Sequence, residues 1–285
     1  MVLLVAALEL LQLVGEVEDR LELVARPVGD LGSGGEPPPC PEGAAGARRA
    51  VIPLKDNVPT RSFPIVTVGI IVVNALVWIW EITGTTVNLD VAHYGYYPCA
   101  VQGPCTNVYA AHHKELVEMV FTSMFMHASW IHIIGNMLFL WIFGNNVEDA
   151  MGKVRFVGFY LLAGIAATAL QTFVTLEWAN ANAASVPNIG ASGAIAGVLG
   201  AYLVLLPTAT VVTAITLGFF FLIREIPAIW FLGIWFLFQL VEGGFAIVQP
   251  QAGGGVAFFA HVGGFAFGLL VVKAFATRRP LRPRY

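Results

Sequence analysis

Six apolar runs, each close to the length that crosses a bilayer, constrain this chain more than any other feature. A helical span needs about 20 consecutive apolar residues. Windows of this kind fall at roughly 63–82, 124–144, 154–176, 190–206, 226–247 and 256–276, the fourth being short. Only 12% of the residues are charged, against about 25% in an average soluble domain. The deficit lies after residue 62. An all-α membrane protein, a bundle of six transmembrane helices, is therefore expected, with lipid around it and no nucleic-acid partner.

An even number of spans puts both ends on one side. The N-terminal arm carries Arg48, Arg49, Lys55 and Arg61, and the tail at 277–285 carries Arg278, Arg279, Arg282 and Arg284. Lys153, Arg155 and Arg224 fall in loops on that same side, and Lys114 alone on the other. The positive-inside rule places both termini in the cytoplasm. A seventh apolar stretch, Ala209–Ile223, is too short to span, and a seventh span would put the basic tail outside. It is expected to be an interfacial or half-buried connector.

Residues 1–50 differ from the rest. Leu3–Val24 mixes apolar and acidic residues, and Gly29–Ala47 is rich in Gly, Pro and Ala. They are expected to be a disordered or spurious N-terminal extension, with the domain running over 51–276. The first outer loop, Gly84–Glu118, holds Tyr94, Tyr96, Tyr97 and Tyr109, together with Cys99 and Cys105. On an oxidising side these two cysteines either pair or remain free thiols. His112-His113 in the same loop reads as solvated chain and not as a metal site.

Polar groups inside spans are costly and so are functional candidates. Ser192 sits in Gly190-Ala191-Ser192-Gly193 at the mouth of the fourth run, and His261 in Ala260-His261-Val262-Gly263-Gly264 within the sixth. Alone, Gly-x-Ser-Gly is a weak signal. Ala260, Gly264 and Gly268 recur every four residues, however, and Gly193, Gly197, Ala196 and Gly200 give the fourth helix matching small positions. Such stripes permit close helix contact, which brings an imidazole base to a hydroxyl nucleophile. In the second run, His132 and Asn136 are four apart and share a helical face. They are either donors to a developing oxyanion or glue between helices. His127 falls about 180° from Asn136 on the same helix. It is expected to take a structural role, pinning the outer loop.

No acidic residue falls in the middle of a span: Glu81, Glu148, Asp149 and Glu242 lie near span ends. A Ser–His dyad follows, with no carboxylate to orient the base. Aspartyl chemistry lacks its two aspartates, and the His-Glu-x-x-His of membrane zinc proteases is absent. No metal and no cofactor are expected.

The ordered set His127-x4-His132-x3-Asn136, Gly190-Ala191-Ser192-Gly193 and Ala260-His261-x2-Gly264-x3-Gly268 resembles the rhomboid intramembrane serine proteases. The stretch from Phe121 through Gly144, Glu148 and Gly152 is similar to bacterial members. The resemblance implies a six-helix rhomboid-like bundle, Ser192 as nucleophile and His261 as base. It implies an oxyanion hole from His132, Asn136 and the Ser192 backbone, and Glu148 as a structural acid. The implied substrates are membrane-anchored proteins cut within their transmembrane helices, and the implied setting is a bacterial plasma membrane. Two departures stand out. Ala196 occupies the place where some members carry a tyrosine against the base, and the first outer loop lacks a clear Trp-Arg pair.

Access from lipid is expected through the fifth helix, with Trp230, Trp235 and Phe238, or through a hinged loop at Gln249–Gly255. The rival class is a rhomboid-like protein that binds membrane helices in quality control without cutting them. A solute channel is disfavoured because no charged path crosses the bilayer. The sequence leaves oligomeric state open.

Overall fold

The computed structural model describes residues 51–84, 87–106, 115–217, 220–248 and 257–283. The N-terminal extension, Cys40, Tyr109, His112, His113, Lys114, Arg284 and the 249–255 loop lie outside the described residues.

The described residues open with strand β1 (Val51–Asp56), followed by α1 (Ile65–Thr83) and the short helix α2 (Val87–Tyr94). After α3 (Leu116–Ser123) come α4 (Trp130–Phe139), a π-helical turn (Leu140–Gly144) and α5 (Asn145–Met151), which together form one continuous rod. Then follow α6 (Lys153–Trp178), the single turn α7 (Ala181–Ala184) and α8 (Ser192–Leu205). A hairpin, β2 (Thr210–Leu217) and β3 (Phe220–Pro227), leads to α9 (Ala228–Val248) and α10 (Phe258–Phe275).

The molecule is mostly helical, and four helices are long and apolar enough to cross a membrane: Ile65–Thr83, Lys153–Trp178, Ala228–Phe245 and Phe258–Phe275. Their outer faces carry exposed apolar side chains such as Leu76, Val154, Trp230 and Leu270, the surface that lipid requires. The helix α8 is different. Every residue from Gly193 to Tyr202 is buried, so it is wrapped by its neighbours. A helix apolar on all sides belongs in such an interior. Its Tyr202 meets Phe143 edge-on, and Phe231 stacks on Phe139 and Phe143.

Two readings change here. The 209–223 segment, expected as an interfacial or half-buried connector, supplies β2 and the start of β3, so the fold is mostly helical and not all-α. The sheet has order β1-β2-β3, all antiparallel, with Val51 opposite Ile215, Asp56 opposite Val211 and Thr210 opposite Pro227. Thr210, Val211, Val212, Thr213 and Ile215 are β-branched and suit a pleated ladder better than a helix. Pro53 falls on the edge strand at a register shift, where a missing N–H is tolerated. The second revision concerns the 124–144 window: helix begins only at Trp130, where Ser129 Oγ accepts the His132 N–H at 3.2 Å as an N-cap.

The sheet stands beside the α4–α5 rod. At one end Asp56 accepts hydrogen bonds from Tyr202 Oη (2.6 Å) and Asn146 Nδ2 (2.7 Å). At the other, Val51, Ile52 and Pro53 border a cavity of about 160 Å³ with Ile131, Ile134 and Leu138. Burial lifts the Asp56 carboxyl from its ordinary 3.8 to about 6, against the lowering effect of those hydrogen bonds.

Glu148 closes the start of α1. Its carboxylate accepts the N–H groups of Val66 (3.1 Å) and Thr67 (2.8 Å) and the Thr67 hydroxyl (2.8 Å). A carboxylate there satisfies orphan donors and meets the positive end of the helix dipole. Asp149 pairs with Arg61 at 2.8 Å. Gly152, at φ 79°, ends α5 in the left-handed region and lets α6 begin at once.

Candidate active site

Ser192 opens α8 and His261 lies in the first turns of α10. The two side chains meet, with Ser192 Oγ 2.7 Å from His261 Nε2. What lets them meet is missing side chains. A Cβ on Gly264 would overlap the Gly193 carbonyl oxygen, and one on Gly268 would overlap that of Gly197. The two backbones therefore touch along the stripe of small residues, one turn below the serine and histidine. Gln171 on α6 fixes the start of α10, its Oε1 accepting the Ala260 N–H at 3.1 Å.

His132 and Asn136 flank the other side of the serine. Gly190, at φ 113°, needs glycine twice over. Its backbone is left-handed, and a Cβ there would sit 2.7 Å from His132 Nε2 and 3.7 Å from Asn136 Nδ2. Both donors thus abut the segment leading into Ser192. That segment is held in place from outside: Asn188 and Tyr96 exchange backbone hydrogen bonds of 3.1 and 2.7 Å, and Gly190 N–H donates to the Ser123 carbonyl at 2.8 Å.

His127 is not where helical spacing placed it. Because α4 starts at Trp130, residue 127 lies on the preceding loop, and the angular argument does not apply. Its ring turns into the site. Asn136 Nδ2 donates to His127 Nε2 at 3.1 Å, and its ring centroid is 5.0 Å from that of His132. Its backbone N–H donates to the buried Glu81 carboxylate of α1 at 3.2 Å. It therefore links α1 to Asn136.

The His261 ring is also held by a residue that sequence reasoning missed. Gln239 of α9, with 0% of its surface exposed, places Oε1 2.6 Å from His261 Nδ1. Trp235, one turn earlier, has its ring centroid 6.0 Å from the imidazole. It is buried, whereas Trp230 on the same helix is 65% exposed. An aromatic thus sits near His261 after all, supplied by α9 and not by position 196.

A cavity of about 40 Å³ reaches Ser192, bordered by Tyr96, Ser123, Thr168, Gln171 and Asn188. Met124, Ala167, Ile189 and Ala260 make the rest of its wall apolar, and its size and the polar groups among them suit water. The loop after α2 packs in a small core of Tyr96, Tyr97 and Cys99 with Met119 of α3 and Ala184 of α7. Cys99 and Cys105 are joined there as a disulfide. Burial pushes the Tyr96 phenol up, and its hydroxyl lies 2.8 Å from Thr172 Oγ1.

The hydroxyl–imidazole pair thus lies beside the His132 ring and the Asn136 amide, within a mostly helical bundle that has helices long and apolar enough to cross a membrane. Comparison with known proteins gives the family: a rhomboid domain matches residues 114–278, and the chain belongs to the rhomboid family. It is 31% identical over 173 residues to RHOMBOID-like protein 1 of Arabidopsis thaliana, covering 61% of this chain and 37% of that one. It is 36% identical over 87 residues to presenilin-associated rhomboid-like protein A, mitochondrial, of Danio rerio, covering 30% and 22%. It is 30% identical over 149 residues to rhomboid protein 1, mitochondrial, of Saccharomyces cerevisiae, covering 52% and 39%. The matched stretches span well under half the length of these relatives. All three are eukaryotic and two carry mitochondrial names, so they lend no support to a bacterial type or a bacterial plasma membrane.

Proposed function

We propose that this rhomboid is an intramembrane serine endopeptidase that cuts transmembrane proteins near one membrane face. The observation that carries the reading is the 2.7 Å contact between Ser192 Oγ and His261 Nε2. His261 takes the serine proton as Oγ attacks the scissile carbonyl carbon. The oxyanion is met by His132, by the free N–H of Asn136 and by the Ser192 N–H at the start of α8, where the helix dipole adds to them. His261 then protonates the leaving amine, and water from the cavity beside Ser192 releases the acyl group.

In this reading the six spans are α1, the α4–α5 rod, α6, α8, α9 and α10, within a domain over 51–276. Arg61, Lys153, Arg155, Arg278, Arg279 and Arg282 support a cytoplasmic side for the Glu148 end and both termini. The serine end then faces the opposite compartment, where the Cys99–Cys105 bridge is stable. Substrate helices must unwind before attack, because their backbone is otherwise satisfied. The bacterial setting rests on motif resemblance alone.

The test is labelling by a fluorophosphonate, with cleavage of a synthetic transmembrane peptide carrying Gly or Pro near its outer end. Wild type should label and cut, and Ser192→Ala should do neither. Absence of labelling in folded wild type would overturn the peptidase reading and leave a helix-binding scaffold.

A further inference from the structure

The serine–histidine pair leaves one imidazole nitrogen unexplained by any acidic residue. That nitrogen, His261 Nδ1, faces an amide. Gln239 projects from α9 into the contact with α10, fully buried, with Oε1 at 2.6 Å. The other end of the amide, Nε2, is buried without a hydrogen-bond partner among the described residues. A buried polar group of this kind is normally satisfied.

The two orientations of the amide have opposite consequences. With Oε1 toward the ring, Nδ1 must carry the proton, because an amide oxygen only accepts. Nε2 then presents its lone pair to the Ser192 hydroxyl. With the amino group toward the ring, Nδ1 would accept and Nε2 would carry the proton, which disables it as a base. The orientation present is the one that arms the site.

We propose that Gln239 is the positioning residue of this site, its amide oxygen holding His261 in the tautomer whose Nε2 accepts from Ser192. This rests on the serine peptidase reading. The proton balance is simple: the Ser192 O–H bond breaks, an Nε2–H bond forms, and Nδ1–H stays throughout. Gln239 gains no proton. As the ring becomes cationic, the amide dipole at 2.6 Å stabilises it. A neutral amide does this without an ionised carboxylate in an apolar interior, where a charge is costly. Trp235 walls the imidazole from the same helix one turn earlier. The helix α9 thus supplies both the acceptor and the wall, and position 196 needs no aromatic. Displacing α9 far enough to separate the pair would disarm the base.

The experiment uses the full chain in detergent with the fluorophosphonate and the synthetic transmembrane peptide. Gln239→Met keeps the length and removes the acceptor; Gln239→Glu keeps the acceptor. Gln239→Met should lower kcat and labelling rate about 10- to 100-fold, with KM within about threefold. Gln239→Glu should recover most of the loss. The 15N spectrum of His261 should show the Nδ1–H tautomer in wild type and a mixture in Gln239→Met, at matched melting temperatures. Wild-type kcat and an unchanged tautomer in Gln239→Met would overturn this proposal alone, as would Gln239→Glu no better than Gln239→Met. Wild type labelling no more than Ser192→Ala would overturn the peptidase reading, and this proposal with it.

Discussion

Adding one methyl group at Gly264 should separate the nucleophile from its base. In Gly264→Ala the new Cβ overlaps the Gly193 carbonyl oxygen and lies 3.0 Å from the carbonyl carbon and 3.2 Å from Gly197 N. All three atoms are backbone, so no flexible side chain can swing aside. Relief requires α8 and α10 to part by roughly an ångström. The Ser192–His261 contact, now 2.7 Å, then passes beyond hydrogen-bond range, about 3.5 Å at most. A misplacement of that size costs about 100-fold in kcat, and the overpacking costs about 1–3 kcal/mol of stability. The assay is fluorophosphonate labelling and peptide cleavage, read beside thermal unfolding in detergent. Gly158→Ala on α6 is the control, since its Cβ meets nothing within 4 Å. It should keep full activity and gain about 0.5–1 kcal/mol, as alanine does over glycine inside a helix. If Gly264→Ala folds and cuts within about threefold of wild type, the close backbone contact does not set the catalytic distance.

Two further outcomes follow from the side of the bundle opposite the serine. Glu148→Ala removes the acceptor of three hydrogen bonds at the start of α1 and should destabilise by about 3 kcal/mol, with Glu148→Gln intermediate; an unchanged melting temperature in Glu148→Ala would deny the cap its role. The Asp56 carboxyl, raised from 3.8 to about 6, binds a proton more readily folded than unfolded, so its contribution to stability is fullest below about pH 4 and is lost as pH rises to 6. Thermal unfolding at pH 4.5 and 7 should show this slope in wild type and a smaller one in Asp56→Asn; equal slopes would place the effect elsewhere.

Much of the helical frame and both side chains of the candidate dyad were legible from residue order. Ser192 and His261 announced themselves because apolar runs make a hydroxyl and an imidazole conspicuous, and the Gly264–Gly268 stripe said why they meet. The sheet was hidden because Ala209–Ile223 is mostly apolar, and apolarity alone does not separate a buried strand from a membrane segment. The clue lay in the β-branched run Thr210–Thr213. His127 was misplaced because the wheel was drawn from residue 124, whereas Ser129 caps a helix that starts one residue later. Gln239 was not legible because the usual orienting group of such a base is a carboxylate. An amide at the fifth-helix position one turn after Trp235 was on view, but its partner lies 22 residues away across a loop, a separation no local pattern spans.

The order of the strands also bears on how the protein is made. Residue 51 pairs with residue 215, so the first strand to leave the ribosome must wait for its partner while α1 through α8 are synthesised and inserted. Local hairpin closure between β2 and β3 is fast by comparison, and long-range strand pairing is the slow step. The N-terminal strand should therefore dock late, onto a bundle that already holds its helices. A nascent chain halted before residue 210 would expose Val51–Asp56 to protease, and release past residue 227 would protect it.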